Sequence, residues 1–552
     1  MKTTFWALVA LCACAACADD DDGNRASGRV AVPSDIRIER VGAASVRVSW
    51  QDNSTDEKGF DIWVRDAADA TNRWIAGSVE ADQTRYTISQ GLEDGASYFF
   101  GVQGKGTSEA GDSRVVYEFF TLTPSSELPV VEIDGQPTAT ATCIAVTYRI
   151  DNAPSDARYG LCWSADGLPT TEDAMQYGPA LPEDGGAVLQ VIPNALLEYG
   201  REYTVRAFLT SGGATCYSSE TKASLGEEPP AVTFDWTKLS HESLPAEIGL
   251  YETTGKLNGR NFHAWYAVAD LSKGTVEFRV SVPEGAATIE EQSAAFGGDC
   301  YVMINGGYFY NGRHTGISVV DGETAGTIPA VRGSLRTSDT EEYDTMYNVT
   351  RGLFGVDASG TPGVCWAGTD ARGAARYFDR PLPSVKGEAR YDVVSAENPA
   401  PDIAWTPKYA LSAGPVLLKD GKCPFDFTET PKGADYYLSN YEIMPYDIFG
   451  VGVSPDRTAV GSTADGRIVL FVCDGRIESS RGATLTELAA IMKGLGCTDA
   501  VNFDGGGSTG MVIDGKHLND TTAEASRAVV STAGFFNCLL YTSPSPRDYA
   551  AS

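Results

Sequence analysis

A glycine-rich segment near the C-terminal end of the chain combines a carboxylate with two hydroxyl groups. Asp504 directly precedes three glycines, and Ser508 and Thr509 follow them. Three consecutive glycines indicate a sharp bend or a close approach by another group, because glycine in a regular element costs roughly 0.5–1 kcal/mol relative to alanine. Apolar strands run into and out of the segment, and the lysine of a nucleotide-binding P-loop is missing. We predict a loop whose successive free N–H groups bind an anion such as phosphate; a structural turn is the alternative.

Two other segments carry side chains suited to a phosphorylated sugar. In the segment 301–310 an apolar strand ends at Asn305, and two glycines and Tyr308 follow. An asparagine amide can both donate to and accept from a sugar hydroxyl, and a neighbouring aromatic ring can stack on a sugar face. Arg457 and Arg527 carry the planar guanidinium group that matches phosphate best, although a lone arginine is more often a solvated surface charge.

One clear helix lies just before the glycine-rich segment. Thr484 is followed three residues later by Glu487, which is the spacing of a capping box. Glu487 is a possible second carboxylate, but capping explains it more simply. The apolar face of this helix is formed by Leu485, Leu488, Ile491, Met492 and Leu495, and Gly494 or Gly496 ends it.

Four Asp-Gly pairs lie between apolar segments of the C-terminal half. Such pairs favour type I′ hairpin turns, because both turn positions need a positive φ. These aspartates are therefore predicted to form turns rather than to catalyse. They are Asp321, Asp420, Asp474 and Asp514.

The N-terminal half shows short alternating strands typical of β-sandwiches. Residues 34–124 resemble a fibronectin type III domain, and residues 125–226 resemble a second, more divergent one. Each carries a leucine six residues before a tyrosine, which resembles the tyrosine corner of that fold: Leu92 and Tyr98, then Leu197 and Tyr203.

Two tryptophans of the predicted sandwiches have alternative interpretations. Trp50 and Trp163 each lie at or near the end of a predicted strand. An indole can serve as a carbohydrate platform, but a core position is the favoured interpretation, since large aromatic side chains dominate such cores.

The N-terminus resembles a bacterial lipoprotein signal. Residues 1–17 contain a short basic region, an apolar stretch too short to span a bilayer and a lipobox-like end, with Cys17 as the predicted lipidated residue and Cys14 as the competing choice. Residues 18–33 are predicted to be a polar tether, and the acidic run Asp19–Asp22 resembles the export signal of Bacteroidetes surface lipoproteins. We therefore expect a protein anchored at the bacterial outer membrane or cell surface; a plain secretory signal peptide is the alternative.

Composition limits the possible partners. The 552 residues predict several domains, and a formal net charge of −31 argues against nucleic acid. With four histidines and scattered cysteines after Cys17, we predict no metal site and no cofactor. Residues 538–552 resemble the translation of a sequencing adapter and are excluded from the predicted domains.

Six segments, taken in order over roughly residues 250–537, resemble the bacterial phosphodiester glycosidase family. They are NGGYF, TGISVVDG, LSAGPVLLKDGK, RTAVGSTADGRIVLFVCDG, GATLTELAAIMKGLGCTDAVNFDGGGST and SRAVV. The resemblance implies hydrolysis of the bond between a sugar's anomeric carbon and a phosphate esterified on its other side. The resemblance does not include the two sandwiches. The strand and helix patterns of the whole chain predict two β-sandwiches followed by a β-rich α+β domain, and we place the catalytic domain at residues 229–537.

The resemblance and the chemistry of the side chains together predict roles for individual residues. Asp504, Asn305 and Arg457 are the predicted catalytic residues, with Asp504 as nucleophile, as base for water, or only as a brace for its loop. The predicted substrate-binding residues are Gly306, Gly307, Tyr308, Gly505, Gly506, Gly507, Ser508, Thr509 and Arg527. The predicted partner is a carbohydrate phosphodiester. The alternative function is a non-catalytic glycan-binding or adhesion lipoprotein.

Overall fold

The computed structural model describes most of the chain, with gaps in several loops and at both ends. The described residues are 8–9, 29–42, 44–107, 110–178, 186–333, 345–382, 385–386, 403–424, 442, 454–519 and 527–538. Cys14, Cys17, most of the tether and residues 539–552 lie outside them, so the predicted anchor, tether and adapter-derived end stay predictions. No helix among the described residues is long and apolar enough to cross a membrane.

The chain forms two compact units. The first contains the described residues of 1–137, 146–190 and 202–223, and the second those of 138–145, 191–201 and 224–552. The division runs through the predicted second sandwich. The domain limits at 125–226 and 229–537 therefore stay predictions.

The first unit contains a β-sandwich of two four-stranded antiparallel sheets. Its strands are β1 (Leu8–Val9), β2 (Ser34–Gly42), β3 (Ser45–Gln51), β4 (Gly59–Asp66), β5 (Arg73–Glu80), β6 (Arg85–Ile88), β7 (Ser97–Lys105) and β8 (Val116–Thr121). One sheet has the order β1-β2-β3-β6 and the other β5-β4-β7-β8. The tyrosine corner is present, because the Tyr98 hydroxyl accepts the Glu93 N–H at 2.9 Å. Trp50 is 5 % exposed, which confirms its core position.

A second set of strands follows with the same alternating character. They are β9 (Val130–Ile133), β10 (Thr138–Ala139), β11 (Cys143–Asp151), β12 (Arg158–Ser164), β13 (Ala174–Tyr177), β14 (Val188–Pro193), β15 (Glu202–Ser211), β16 (Ala214–Tyr217) and β17 (Thr221–Ser224). Strands β13-β12-β15-β16 form one sheet, with β17 also paired to β15. Trp163 on β12 is buried in this sheet's core and is not a surface platform.

The C-terminal region of the second unit is rich in strands, as predicted. Its strands are β18 (Thr237–Leu239), β19 (Ile248–Thr253), β20 (Lys256–Leu257), β21 (Arg260–Asn261), β22 (Ala264–Ala269), β23 (Val276–Ser281), β24 (Cys300–Asn305), β25 (Phe309–Tyr310), β26 (Arg313–His314), β27 (Ile317–Val320), β28 (Glu323–Gly326), β29 (Val331–Gly333), β30 (Thr345–Asn348), β31 (Arg351–Asp357), β32 (Pro362–Thr369), β33 (Ala375–Phe378), β34 (Val385–Lys386), β35 (Pro407–Ser412), β36 (Val416–Leu418), β37 (Arg457–Thr463), β38 (Ile468–Cys473), β39 (Cys497–Asn502), β40 (Met511–Ile513), β41 (Lys516–His517) and β42 (Thr532–Asn537). The α-helices described there are α1 (Ile289–Ala295) and α2 (Leu485–Gly494).

Three larger sheets are built from these strands. Their orders are β18-β19-β22-β38-β37-β39-β36, β23-β42-β24-β40-β41 and β28-β27-β35-β31-β32-β33. Ile304 of β24, Val460 of β37, Val501 of β39 and Met511 of β40 are fully buried in one shared core. The strands that carry the candidate site are thus fixed to each other by apolar packing, which removes water-exposed apolar area.

Helix α2 has the ends that its sequence predicts. The Thr484 hydroxyl accepts the Glu487 N–H at 3.2 Å, and the Glu487 carboxylate accepts the Thr484 N–H at 2.9 Å. Gly496 follows the helix with φ = 85°, a left-handed conformation that suits glycine. Four of the five predicted apolar side chains are buried, namely Leu485, Leu488, Ile491 and Met492.

Three of the four predicted Asp-Gly hairpin turns are present, and one is wrong. Asp321, Asp420 and Asp514 have φ values of 50°, 50° and 52°, and a glycine with positive φ follows each. Asp474 instead directly follows β38 and is fully buried, and neither it nor Gly475 has positive φ. A side chain at Gly475 would place its Cβ 2.3 Å from the Asp456 backbone nitrogen. Gly475 is therefore required for close packing rather than for a turn.

Candidate active site

The candidate site lies at the loop that joins two of the sheets sharing this core. Strand β39 belongs to the seven-stranded sheet and β40 to the five-stranded sheet. The loop 503–510 crosses from one to the other and contains a single 3₁₀ turn at Gly506–Ser508. Strand β24 ends and β37 begins beside this loop, at Asn305 and Arg457. The prediction that the glycines join strand to strand is confirmed.

Asn305 holds the glycine loop from the inside. Its Nδ2 donates to the Asp504 carbonyl oxygen at 2.5 Å, and its Oδ1 accepts from the Thr458 hydroxyl at 2.7 Å and the Gly510 N–H at 3.1 Å. The residue is fully buried. The amide thus ties the ends of three strands to Asp504, and this geometry gives no support to the predicted contact with a sugar hydroxyl.

The two glycines after Asn305 allow close packing. The N–H of Gly306 donates to the Ser531 carbonyl at 2.8 Å, and that of Gly307 donates to the Ser531 hydroxyl at 3.1 Å. A Cβ on Gly306 would lie 2.5 Å from that hydroxyl, and one on Gly307 would lie 2.4 Å from the Ser412 carbonyl oxygen. Both amides are therefore occupied within the protein rather than directed at a ligand.

Tyr308 joins Asp504 and Arg457 in one electrostatic neighbourhood. Its hydroxyl donates to the Gly414 carbonyl at 2.8 Å and accepts from the Asn502 amide at 2.8 Å. Burial raises the pKa of Tyr308 far above its ordinary value; the charge of Asp504 also raises it, and the charge of Arg457 lowers it. The phenol is therefore neutral at physiological pH, and its hydrogen bonds orient the ring at the base of the site.

The glycine loop uses most of its amides internally. Four of its N–H groups donate within the protein: Gly505 to the Asp504 carboxylate at 2.9 Å, Gly506 to the Asp456 carbonyl at 2.9 Å, Ser508 to the Gly505 carbonyl at 3.2 Å and Thr509 to the Gly506 carbonyl at 3.1 Å. The expectation of successive free N–H groups is wrong, because the 3₁₀ turn satisfies its own backbone. Among the described residues no acceptor is found for the Gly507 N–H, which leaves it for a ligand.

Asp504 is a half-buried carboxylate with an altered acidity. Burial raises its pKa, while the Ser508 hydroxyl, the Gly505 N–H and the charge of Arg527 lower it. The net pKa lies above the ordinary aspartate value, which makes the group a stronger base or nucleophile than a solvated carboxylate. The hydroxyl groups of Ser508 and Thr509 are buried, and Thr509 Oγ1 has no hydrogen-bond partner among the described residues.

Arg527 lies over the glycine loop from the outside. Its Nη1 is 3.8 Å from the position a Cβ would take on Gly507, and its guanidinium lies 5.0 Å from the centre of the Phe309 ring. The residue is exposed, so its remaining donors face solvent. Gly507 and Arg527 together form the part of the loop where an anion can be bound.

Arg457 lies beneath the same loop. It is 3 % exposed, and its Nε donates to the Ala483 carbonyl at 3.0 Å. Its Cδ lies 3.9 Å from the Cβ position of Gly505. The interpretation as a solvated surface charge is therefore wrong, and its positive charge acts on the site from below.

Arg476 is the residue at this site that sequence reasoning missed. Its Nη2 lies 3.2 Å from the Cβ position of Gly506, and it pairs with Asp456 through Nε and Nη2 at 3.0 and 2.8 Å. Asp456 is 1 % exposed, and burial raises its pKa while Arg476 lowers it. The sequence signal was the arginine after Asp474-Gly475, which the hairpin interpretation obscured.

Two other carboxyl groups belong to the framework. Glu487 caps α2 and also accepts from the Arg260 guanidinium at 2.5 Å. These structural contacts account for the residue without a catalytic role. Glu442, which sequence reasoning also missed, is fully enclosed and accepts from the Trp366 indole at 2.7 Å and the Val416 N–H at 3.0 Å. Burial raises the pKa of Glu442 to about 7. Within the described residues, no group of three or more possible metal ligands includes Asp504.

Comparison with known families agrees with this geometry. Residues 298–536 match the family model for phosphodiester glycosidases, and residues 31–118 match that for fibronectin type III domains. The first match includes every predicted site residue of the C-terminal region. The second covers most of the first sandwich.

Individual relatives show the same pattern at low identity. The human N-acetylglucosamine-1-phosphodiester alpha-N-acetylglucosaminidase is 24 % identical over 229 residues, which are 42 % of this chain and 34 % of the human protein. The uncharacterized SPbeta prophage-derived protein YomE of Bacillus subtilis is 35 % identical over 82 residues, 15 % of this chain and 13 % of that protein. The chain thus matches about a third or less of the length of these relatives.

A solved structure of the zebrafish enzyme of the same name, its catalytic domain auto-inhibited by a pro-peptide, is 20 % identical. The alignment covers 55 % of this chain and 89 % of that structure, with a TM-score of 0.34. The two family matches carry the assignment: this chain contains a phosphodiester glycosidase family domain at residues 298–536, preceded by a fibronectin type III domain at residues 31–118.

Proposed function

We propose that this chain hydrolyses the bond between the anomeric carbon of a sugar and a phosphate that is esterified on its other side. The observation that carries the proposal is the convergence at one loop of a carboxylate of raised pKa and a guanidinium group. The charge of Arg527 acts on the Asp504 carboxylate, and the Arg527 Nη1 lies 3.8 Å from the Cβ position of Gly507. A non-catalytic adhesion protein does not need this arrangement.

The positive groups suit a phosphodiester. Such a diester carries one negative charge, and the formal net charge of −31 would repel it without a local positive potential. Arg527 and Arg476 supply this potential above the loop, and the Gly507 N–H adds a backbone donor. Guanidinium groups bind phosphate oxygens through two parallel hydrogen bonds, which fixes the orientation of the phosphate as well as its position.

The carboxylate suits the anomeric carbon. Cleavage of a glycosidic bond passes through an oxocarbenium-like transition state, and a phosphate leaving group takes the bonding electrons with it. Positive groups at the phosphate stabilise the charge that develops there, so little acid catalysis is needed. Asp504 then attacks the anomeric carbon or activates the water that does so. Both roles are compatible with its raised pKa.

An aromatic edge beside Arg527 supports a sugar next to the phosphate. Phe309 is partly exposed and lies under the Arg527 guanidinium, 5.0 Å from it to the ring centre. An exposed aromatic ring at a polar site is suited to stacking on the apolar face of a sugar. We propose that Phe309 lies on the sugar side of the substrate, because its ring shares the face of β25 that meets Arg527.

The test uses the full chain and a panel of hexose and N-acetylhexosamine 1-phosphodiesters. Free sugar and a phosphate monoester are the expected products. In water enriched in oxygen-18, the label should enter the sugar at its anomeric carbon, because the carbon–oxygen bond is broken. Label in the phosphate would instead identify a phosphodiesterase and overturn the proposal.

Two control substrates define the bond that the enzyme selects. A sugar 1-phosphate monoester and an ordinary O-glycoside, each with the same sugar, should be cleaved much more slowly than the diester. No release from any member of the panel, beside an active enzyme of the family, would contradict the proposal and leave the adhesion function.

The location of the protein is a separate proposal. We propose that Cys17 is lipidated and that the substrate is an extracellular glycan or glycoconjugate at the bacterial surface. Labelled palmitate should enter the chain and should be absent from Cys17→Ser. If Cys14→Ser alone abolishes the label, Cys14 is the modified residue instead.

A further inference from the structure

Three carboxylates meet in the first sandwich, far along the chain from the candidate active site. Asp52 and Glu57 lie in the connection between β3 and β4, and Asp82 lies in the turn between β5 and β6. One oxygen of each lies within 4.8 Å of the others. Two oxygens bound to the same Ca²⁺ at about 2.3–2.6 Å are at most about 5 Å apart. We call these three residues the acidic cluster, and its spacing fits one coordination sphere.

The second observation is an enclosed carboxylate oxygen of Glu57. Glu57 is 9 % exposed, and its Oε2 is buried with no hydrogen-bond partner among the described residues. A buried charge without a partner is strongly disfavoured. The structure shows no ion pair from a described lysine, arginine or histidine to any member of the acidic cluster.

The electrostatics of Asp52 agree with this geometry. Asp52 is partly buried, its Oδ1 accepts the Ser54 N–H at 2.9 Å, and the carboxylates of Glu57 and Asp82 lie beside it. Like charges at this spacing repel unless a proton or a cation lies between them. The acidic cluster therefore has a deficit of positive charge.

We propose that the acidic cluster binds one Ca²⁺ and thereby links the β3–β4 connection to the β5–β6 turn of the first sandwich. All three ligands are carboxylates, which suits a hard cation and excludes the nitrogen and sulfur ligands that zinc prefers. Asp82 is exposed, so water can complete the coordination. Ca²⁺ tolerates such irregular sites, whereas Mg²⁺ requires near-octahedral geometry.

The test is calorimetric titration of CaCl₂ into the full chain after treatment with a chelator. We expect one saturable site, with a dissociation constant at or below about 1 mM as in extracellular modules. Glu57→Gln and Asp82→Asn should each weaken binding at least about tenfold, because each removes a charged ligand. Asp82 has φ = 64°, and asparagine tolerates this left-handed conformation, so the second variant keeps its turn.

A matched control lies in the same connection. Asp56 is exposed and its carboxylate accepts from the Ser54 hydroxyl, outside the acidic cluster. Asp56→Asn makes the same change of charge and should bind Ca²⁺ as the unaltered chain does. Equal loss in Asp56→Asn, unchanged binding in both cluster variants, equal affinity for MgCl₂, or no saturable site would each overturn the proposal.

Discussion

Buried carboxylates have opposite electrostatic surroundings in the candidate active site and in the first sandwich. At the active site, Asp456 is 1 % exposed and pairs with Arg476 at 2.8 Å, and the charge of Arg527 acts on Asp504. In the acidic cluster, Glu57 is nearly as buried, but no described cation pairs with it. The carboxylate group thus lies beside positive charge in one region and beside negative charge in the other.

The difference indicates what each region binds. Arginines that exceed the needs of the local acids create a positive potential that attracts an anion, and acids without a cation attract one. The formal net charge of −31 applies to the whole chain and predicts neither site. Local pairing within the fold determines the sign of the ligand.

The largest expected effect is the loss of activity when the carboxylate of Asp504 is removed. Asp504→Asn should lower kcat/KM by about 1,000-fold or more, because it removes the base or nucleophile while keeping nearly the same shape. Asp514→Asn makes the same change in a nearby hairpin turn, where φ = 52° suits asparagine, and should retain activity. Turnover of Asp504→Asn within about tenfold of the unaltered chain would limit Asp504 to bracing the loop.

The second prediction concerns Glu442. Its carboxylate accepts hydrogen bonds from neighbouring groups, but burial still raises its pKa. Its pKa of about 7 in the folded protein exceeds the ordinary value of 4.5, so the folded state binds more protons between these pH values. The free energy of unfolding of the second unit should therefore fall by about 3 kcal/mol as pH rises from about 4.5 to 7. Denaturant unfolding across this range should show the slope, and Glu442→Gln should remove it.

Glu487, whose pKa is shifted in the opposite direction, provides the control for this pH dependence. The pKa of Glu487 is lowered overall: burial raises it, but Arg260 and the Thr484 N–H lower it. Its contribution to stability is present above its ordinary pKa and is lost as pH falls. Glu487→Gln should leave the decline toward pH 7 in place; if it abolishes that decline, Glu442 is not the responsible group.

The third prediction concerns the two arginines whose guanidinium groups lie beside the glycine loop. Arg527→Lys and Arg476→Lys should each lower kcat/KM by roughly 10- to 100-fold, because an ammonium group lacks the planar fork that binds two phosphate oxygens. Inhibition by inorganic phosphate should weaken in parallel. Arg467→Lys is the control, since Arg467 is exposed and pairs with Asp465 at 2.9 Å, away from the glycine loop. Unchanged phosphate inhibition in both variants would place the anion elsewhere.

The smallest expected effect tests whether the two regions act independently. Removal of Ca²⁺ by a chelator, or Glu57→Gln, should change turnover by less than about twofold, because the two sites lie in separate compact units and share no residue. Conversely, Asp504→Asn should leave Ca²⁺ affinity unchanged in calorimetry. A loss of turnover of about tenfold on chelation would mean that a cation also acts at the candidate active site.

Local sequence patterns predicted the features that depend on neighbouring residues. The Thr484–Glu487 capping box forms as expected, because both partners lie within one helical turn. The tyrosine corner at Tyr98 and three of the four Asp-Gly turns are equally local. The turn predicted at Asp474 is absent because Gly475 packs against Asp456, 19 residues earlier in the sequence, and this packing overrides the turn preference.

The motif order predicted the family and placed Asp504, Asn305 and Arg457 at one site, but it did not predict what each side chain does. The amide of Asn305 proved to bind protein atoms, and four glycine-loop amides proved to be occupied. Hydrogen-bond partners of this kind come from separate strands. Which donors and acceptors find a partner is decided only when the sheets are assembled.

By itself, the sequence determined the fold class, the helix ends, most turns and the residues that the glycosidase domain brings together, because periodicity and short spacings express local physical preferences. Only the tertiary structure decided which of these groups are free to bind. It placed Arg476 over the glycine loop, enclosed Glu442, and brought Asp82 to Asp52 and Glu57 across two loops. Charge pairing and burial depend on distances through space, and these are set by the packing of strands that lie far apart in the chain.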